Sequence, residues 1–146
     1  MKNFNAVGWF HERFGLPHQG DKREPHLISK ELSDFRLQFL QEELDELREG
    51  YEKEDLVKIA DALIDLVYVA LGTAHFHHLP WEELFDEVQR SNLEKIRADN
   101  KSQSRRNSVF DVVKPKEWQP PRIALVLSRY GWPGPLLPFS DEAEPK

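Results

Sequence analysis

ADALIDLVYVALG, residues 60–72, is an apolar run that carries two acids, Asp61 and Asp65. Leu63, Ile64, Leu66 and Val67 flank Asp65, which leaves that side chain little chance of facing open solvent. An ionised carboxylate taken out of water without a partner costs several kcal/mol, so other residues must answer these acids.

The surroundings of this run read as helices. From about Lys30 to Arg48 the spacing places Leu37, Leu40, Leu44, Leu47 and Tyr51 on one stripe, and Gly50 is a natural C-terminal stop. YEKED makes a short link to a second long helix, about Asp55 to His77, apolar on nearly all sides as expected of a central helix. A third helix opens after Pro80, with Trp81, Leu84 or Phe85, Val88 and Ile96 on its inner face, and fades near Asp99. Ahead of these, FNAVGWFHERF (4–14) predicts a short aromatic helix ended by Gly15 and Pro17, and residues 16–29 a loop. Short links favour antiparallel packing, so the fold class is all-α: a bundle of long antiparallel helices that oligomerises to complete its core.

Composition changes after Ala98. ADNKSQSRRNS reads as a mobile linker or loop, VFDVV as a short extended piece and PPRIALVLSRYG as a short helix stopped by Gly131. WPGPLLPFSDEAEPK reads as a tail. The expected division is a helical domain over 1–99 and an irregular extension over 100–146.

Bulk properties exclude several classes. A net charge of -6 argues against a general nucleic-acid binder, which needs clustered Lys and Arg. The absence of cysteine removes disulfide frameworks and thiolate metal sites, and fits a reducing cytoplasm. The N-terminus lacks a signal-peptide apolar core, and ALIDLVYVALGTA is too short and too acidic to span a bilayer, so no membrane partner is expected.

Chemistry concentrates in two places. QEELDE offers Glu42, Glu43 and Glu46; Glu42 and Glu46 lie ~40° apart around a helix, and Glu43 and Glu46 ~60° apart. Three acids on one face repel one another unless a cation sits among them, the bland alternative being a solvated helix face. Asp61 and Asp65, one turn apart on the next helix, raise the supply to four or five carboxylates, a donor set suited to Mg²⁺, with Mn²⁺ as a substitute. The competing reading pairs Asp65 with an Arg or Lys of the bundle. A di-iron Glu-x-x-His signature is absent, because Gly72, Ala74 and His75 stand three before His75, His77 and His78. HFHH reads as a helix end more readily than as a zinc site. In RSNLEK, Asn92 falls on the inward stripe with Lys95 one turn on; the pair suits phosphate oxygens, or else an amide bonded to a carbonyl beside a snorkelling lysine. No P-loop or nucleophile elbow is present.

Glu42-Glu43-x-x-Glu46, then ADALIDLVYVALG, then RSNLEK, in that order over about residues 4–98, resemble the all-α nucleoside triphosphate pyrophosphohydrolases. That superfamily includes MazG-like proteins, dimeric dUTPases and phosphoribosyl-ATP pyrophosphohydrolases. The resemblance implies a helical dimer or tetramer that uses Mg²⁺ to cut an NTP or dNTP to the monophosphate and pyrophosphate, a nucleotide-pool house-cleaning role. It implies Glu43, Glu46 and Asp65 as metal ligands, with Glu42 a further ligand or the group that orients the attacking water; Glu42 and Glu43 are the catalytic candidates. The superfamily's Glu-x-x-Asp would put Glu at 62, where this chain has Ala62 and offers Asp61 one position earlier. For the base, Trp9 and His11 are chosen from Trp9, Phe10, His11 and Phe14, with core or dimer contacts as the alternative. Rival functions are phosphoribosyl-ATP hydrolysis and a non-catalytic helical interaction protein.

Overall fold

A computed structural model describes residues 2–134. The chain forms two compact units divided between Leu79 and Pro80. The first holds α1 (Asn3–Arg13), α2 (Lys30–Glu52) and α3 (Leu56–Phe76). The second holds α4 (Trp81–Leu93), β1 (Ile96–Arg97), β2 (Val112–Val113) and α5 (Ile123–Arg129). Helices dominate and the sheet is a single two-residue ladder, so the all-α class holds. Among the described residues no helix is long and apolar enough to cross a membrane.

Local chemistry sets the ends of the two long helices. The Ser29 hydroxyl accepts the Leu32 N–H (3.2 Å) and starts α2, and the Asp55 carboxylate accepts the N–H groups of Val57 (3.0 Å) and Lys58 (3.1 Å) and starts α3. Between them Glu54 takes a left-handed conformation (φ 52°), which turns the chain back within three residues. The helices therefore run antiparallel, with Gly50 against Ile59 at the closed end and Arg36 against Val69 and Thr73 at the other.

Gly50, expected to stop the helix, lies inside it. A Cβ there would sit 2.9 Å from Ile59 Cγ1, so the missing side chain lets α2 and α3 approach closely. The leucine stripe also differs from expectation. Leu37, Leu44 and Tyr51 are 66%, 42% and 63% exposed, whereas α2 buries Arg36, Glu43 and Gly50. Those three recur every seven residues, ~20° of drift per step, and so form one line down the helix. The seam follows the glycine contact and the Arg36 hydrogen bonds, which turns the leucines outward. On α3, Leu56, Val57, Ile64 and Val67 are exposed as well, so that helix is covered on fewer sides than its composition suggests.

α1 packs on α3 through Phe4, Val7 and His11, all buried. Gly8 admits His75, whose Cε1 lies 2.9 Å from where a Cβ would stand. His75 Nε2 donates to the Phe4 carbonyl (2.8 Å), its Nδ1 accepts the Gln19 N–H (3.1 Å), and its ring stacks on Phe4 at 3.8 Å. His77 Nδ1 donates to the His26 carbonyl (2.7 Å). The HFHH stretch thus fastens α1 and the loop after it to the end of α3.

The second unit departs from expectation in three ways. α4 buries Leu84 and Ser91, leaving Phe85, Val88, Asn92 and Ile96 exposed. The Ser91 hydroxyl donates to the Gln119 carbonyl (2.9 Å), and Trp118 Nε1 donates to the Ser91 carbonyl (2.8 Å), which rotates the inner face by one residue from the apolar stripe. The helix also stops at Leu93 because Ile96 and Arg97 pair antiparallel with Val113 and Val112. The expected linker is the connection of that hairpin: it contains a turn of 3₁₀ helix, and the buried Ser104 hydroxyl donates to Asp111 (2.7 Å). VFDVV is extended at Val112–Val113 and the short C-terminal helix is present as α5, held by Glu87, which accepts from both Arg90 and Arg122. From residue 135 the expected tail lies outside the described residues.

Burial, first of all, pushes the His75 imidazole below its ordinary pKa of 6.5, and the neighbouring His11, His18 and His78 push it further; the Phe4 bond acts the other way. Both ring nitrogens are committed, and a proton on Nδ1 would point at the Gln19 N–H. An imidazole depressed in the folded state stabilises fully above its unfolded pKa and loses that contribution as pH falls below it. Thermal melts from about pH 7.5 to about pH 5 are expected to show a falling Tm, and His75→Gln to flatten part of the slope.

Candidate active site

Midway along the α2–α3 seam the helices part around a cavity of about 210 Å³. Phe10 and His11 of α1 close one side, and Leu16 caps it. α2 contributes Arg36, Phe39 and Glu43; α3 contributes Asp65, Tyr68, Val69 and Gly72. Seven residues separate Arg36 from Glu43, and seven separate Asp65 from Gly72. Two turns of helix, about 10 Å, therefore divide an acidic end of the cavity from a cationic one.

Glu43 governs the acidic end. It is only 9% exposed, and its carboxyl is pushed above the usual range by burial first, then by Asp65, Glu46, Glu42 and Asp61 in that order. The five acids singled out in the sequence thus act on one electrostatic centre. Their surroundings differ. Asp65 is half-buried on the cavity wall, while Glu42, Glu46 and Asp61 are exposed. Glu42 accepts from Gln38 (3.0 Å), and Asp61 borders an apolar groove with Leu56, Val57, Ala60 and Ile64, so Asp61 does not share the inward face of Asp65. Ala62, 1% exposed, takes that face instead. Glu49 shows what an answered carboxylate looks like: Lys53 and Lys58 bind it and hold it down to about 2. Neither Glu43 nor Asp65 has an ion-pair or hydrogen-bond partner among the described residues, which sets aside an Arg or Lys partner for Asp65.

An all-oxygen, mutually repelling donor set has the chemistry of a site for a hard divalent cation, Mg²⁺ or Mn²⁺. As they stand, no three His, Cys, Asp or Glu residues among those described are gathered closely enough to hold a metal ion, the His75–His78 group included.

The remaining candidates are scattered. His11 is buried in the cavity wall; its Nδ1 donates to the Pro17 carbonyl (2.7 Å), which leaves Nε2 as the acceptor on the Gly72 side. Trp9 is 61% exposed and takes no part in the wall. Asn92 and Lys95 lie in the second unit, where Lys95 Nζ donates to Asn92 Oδ1 (2.9 Å) and stands 5.7 Å from the Trp118 ring centre. Sequence reading missed Arg36, Phe39 and Tyr68. The signal for Arg36 was present, since a cation two turns before Glu43 shares its face.

An acid-lined helical hairpin beside an aromatic cavity is the architecture of the all-α pyrophosphohydrolases, the MazG-like superfamily. Within that class the sequence model of the family described as phosphoribosyl-ATP pyrophosphohydrolase matches residues 7–92, and the chain belongs to this family. No curated protein matches it. The protein is accordingly a hydrolase acting on phosphoric anhydrides, which displaces the non-catalytic reading. The match takes in α2 and α3 with all five acids, and ends before Lys95 and the hairpin.

If Glu43 and Asp65 await a cation, Mg²⁺ is expected to raise the Tm of the protein by several degrees and to leave Asp65→Asn unmoved. Glu43→Gln should raise the Tm of the metal-free protein at neutral pH, because a carboxyl raised in the folded state destabilises it when ionised. Calorimetric scans with and without the ion check both.

Proposed function

We propose that the protein is a Mg²⁺-dependent nucleoside triphosphate pyrophosphohydrolase, Mn²⁺ substituting, that converts an NTP or dNTP to the monophosphate and pyrophosphate. A house-cleaning role in the cytoplasmic nucleotide pool accompanies that reading. The observation that carries it is Glu43: a buried carboxyl with no partner among the described residues, raised first by burial and then by four other acids, at the end of an aromatic-walled cavity.

In this reading Glu43, Glu46 and Asp65 hold the cation, and Glu42 is a further ligand or a water-orienting group. Asp61, expected as a further ligand, is exposed off the inward face of Asp65 and acts on Glu43 through its charge. Bound Mg²⁺ would neutralise phosphate charge and lower the pKa of a coordinated water. Glu42 or Glu43, standing beside that water, would be suited to take its proton. Phe10, Phe39 and Tyr68 offer ring faces to a base, and His11 offers it an edge. Asn92 and Lys95, in the second unit, carry an amide and an ammonium group of the kind that binds phosphate oxygens.

Phosphoribosyl-ATP is the second reading, and the family match favours it. Pyrophosphate release measured side by side from NTPs, dNTPs and phosphoribosyl-ATP separates the two. Simple nucleotides are expected to be cut, and Glu43→Gln to lower kcat by about 10²-fold or more, the range for a lost general base. A panel in which phosphoribosyl-ATP alone reacts overturns the first reading.

The outward leucines suggest a second copy as their cover. Leu37, Leu44, Leu56, Val57 and Ile64 leave more apolar surface exposed than a lone helical hairpin tolerates well. Sedimentation of the protein is expected to give a dimer or tetramer, and Ile64→Lys to shift it toward monomer.

A further inference from the structure

Arg36 is a buried cation that no anion among the described residues answers. It is 8% exposed, and burial lowers its pKa. Its Nε donates to Thr73 Oγ1 (3.0 Å) and one Nη2 hydrogen to the Val69 carbonyl (2.7 Å), both neutral acceptors. Phe39 and Phe76 stand 5.3 and 5.5 Å from the guanidinium carbon and fix its plane. A guanidinium has five N–H donors, so Nη1 and the second Nη2 hydrogen remain, on a side chain that lines the cavity. Burying such a group without a counter-charge costs several kcal/mol. Helix tying alone needs no charge for that.

A glycine shapes the place where this cation sits. A Cβ on Gly72 would lie 3.0 Å from both Arg36 Nη2 and His11 Nε2, so the bare Cα lets the two polar atoms stand side by side at the cavity wall. With Nδ1 committed to Pro17, His11 presents an acceptor beside the Arg36 donors. Donor next to acceptor is complementary to the edge of a nucleobase, where a carbonyl or ring nitrogen adjoins an N–H. The acidic end lies about 10 Å away along the helices, room for a ribose between the two. At about 210 Å³ the space falls below the roughly 300–1,000 Å³ of drug-sized sites, which suits one base edge-on.

We propose that Arg36, with His11 beside it, is the residue that reads the hydrogen-bonding edge of the nucleobase of a bound nucleotide. This rests on the nucleotide reading of the acid site, but its test does not use turnover alone. Calorimetric titration of the full chain with AMP, UMP, N1-methyl-AMP and ribose 5-phosphate, compared with Arg36→Met, reads the base contact directly. Methionine keeps the apolar stem between Phe39 and Phe76, and a thermal melt reports whether the variant folds. Arg36→Lys serves if it does not, since a point charge restores the fold without the planar donor fork.

The expected result is a loss of about tenfold or more for the better-bound monophosphate in the variant, with ribose 5-phosphate unchanged. The native protein should also bind N1-methyl-AMP about tenfold or more weakly than AMP, a difference the variant lacks. Equal losses for the monophosphate and ribose 5-phosphate would place Arg36 at the phosphate and overturn the assignment. Unchanged binding, or a native protein that binds no monophosphate, would reduce it to a helix tie and overturn it too. Base-dependent binding without any pyrophosphate release leaves Arg36 in place and removes the proposed activity instead.

Discussion

The close approach of α2 and α3 at Gly50 and Ile59 is the contact on which the first unit depends. It fixes which face of each helix meets the other, and that face is a line of Arg36, Glu43 and Gly50 rather than of leucines. A hairpin closed on leucine would be more stable as an isolated object, because burying charge without a partner opposes folding. Among the described residues the seam carries a carboxyl without a cation near one end of a cavity and a guanidinium without an anion near the other, with aromatic rings between them. Such placement is what a site for a ligand with opposite polarity at its two ends requires.

The histidines do the complementary work. His75 spends both ring nitrogens, and His77 its Nδ1, on backbone groups of α1 and the following loop, and so they bring Phe10, His11 and Leu16 over the cavity. His11 gives its Nδ1 to Pro17 and keeps Nε2 for the cavity side. One residue type therefore serves both as fastener and as a functional edge. What separates the two uses is whether a ring nitrogen is left at the cavity wall, as Nε2 of His11 is.

Helix existence was legible because periodicity and capping are local. The Ser29 and Asp55 caps, the reversal near Glu54 and the proline-led α5 all follow from neighbours in the chain. The pairing of QEELDE with Asp65 was legible too, since a short link between long helices leaves little choice but antiparallel packing. Orientation was not. Leu37, Leu44 and Tyr51 looked like the buried stripe and are exposed, Asn92 looked inward and is not, and Gly50 looked like a stop and is a contact point. In each case hydrophobicity ranked the faces, while a glycine, a hydroxyl or a guanidinium with a long-range partner decided among them. The hairpin of Ile96–Arg97 with Val112–Val113 escaped for a related reason, as two-residue strands carry no periodic signal.

Residue type and order alone specify a mainly helical chain, two acid-bearing helices joined tightly, and the mutual repulsion among Glu42, Glu43, Glu46, Asp61 and Asp65. Those properties reside in residue type and spacing along single helices. Tertiary structure alone decided that Glu43 is the acid removed from water, that Asp61 faces outward while Ala62 takes the seam, and that Arg36 and His11 meet over Gly72. Rotating a helix by the angle of one residue exchanges such neighbours at little cost in local energy, so only contacts with another helix can choose between them.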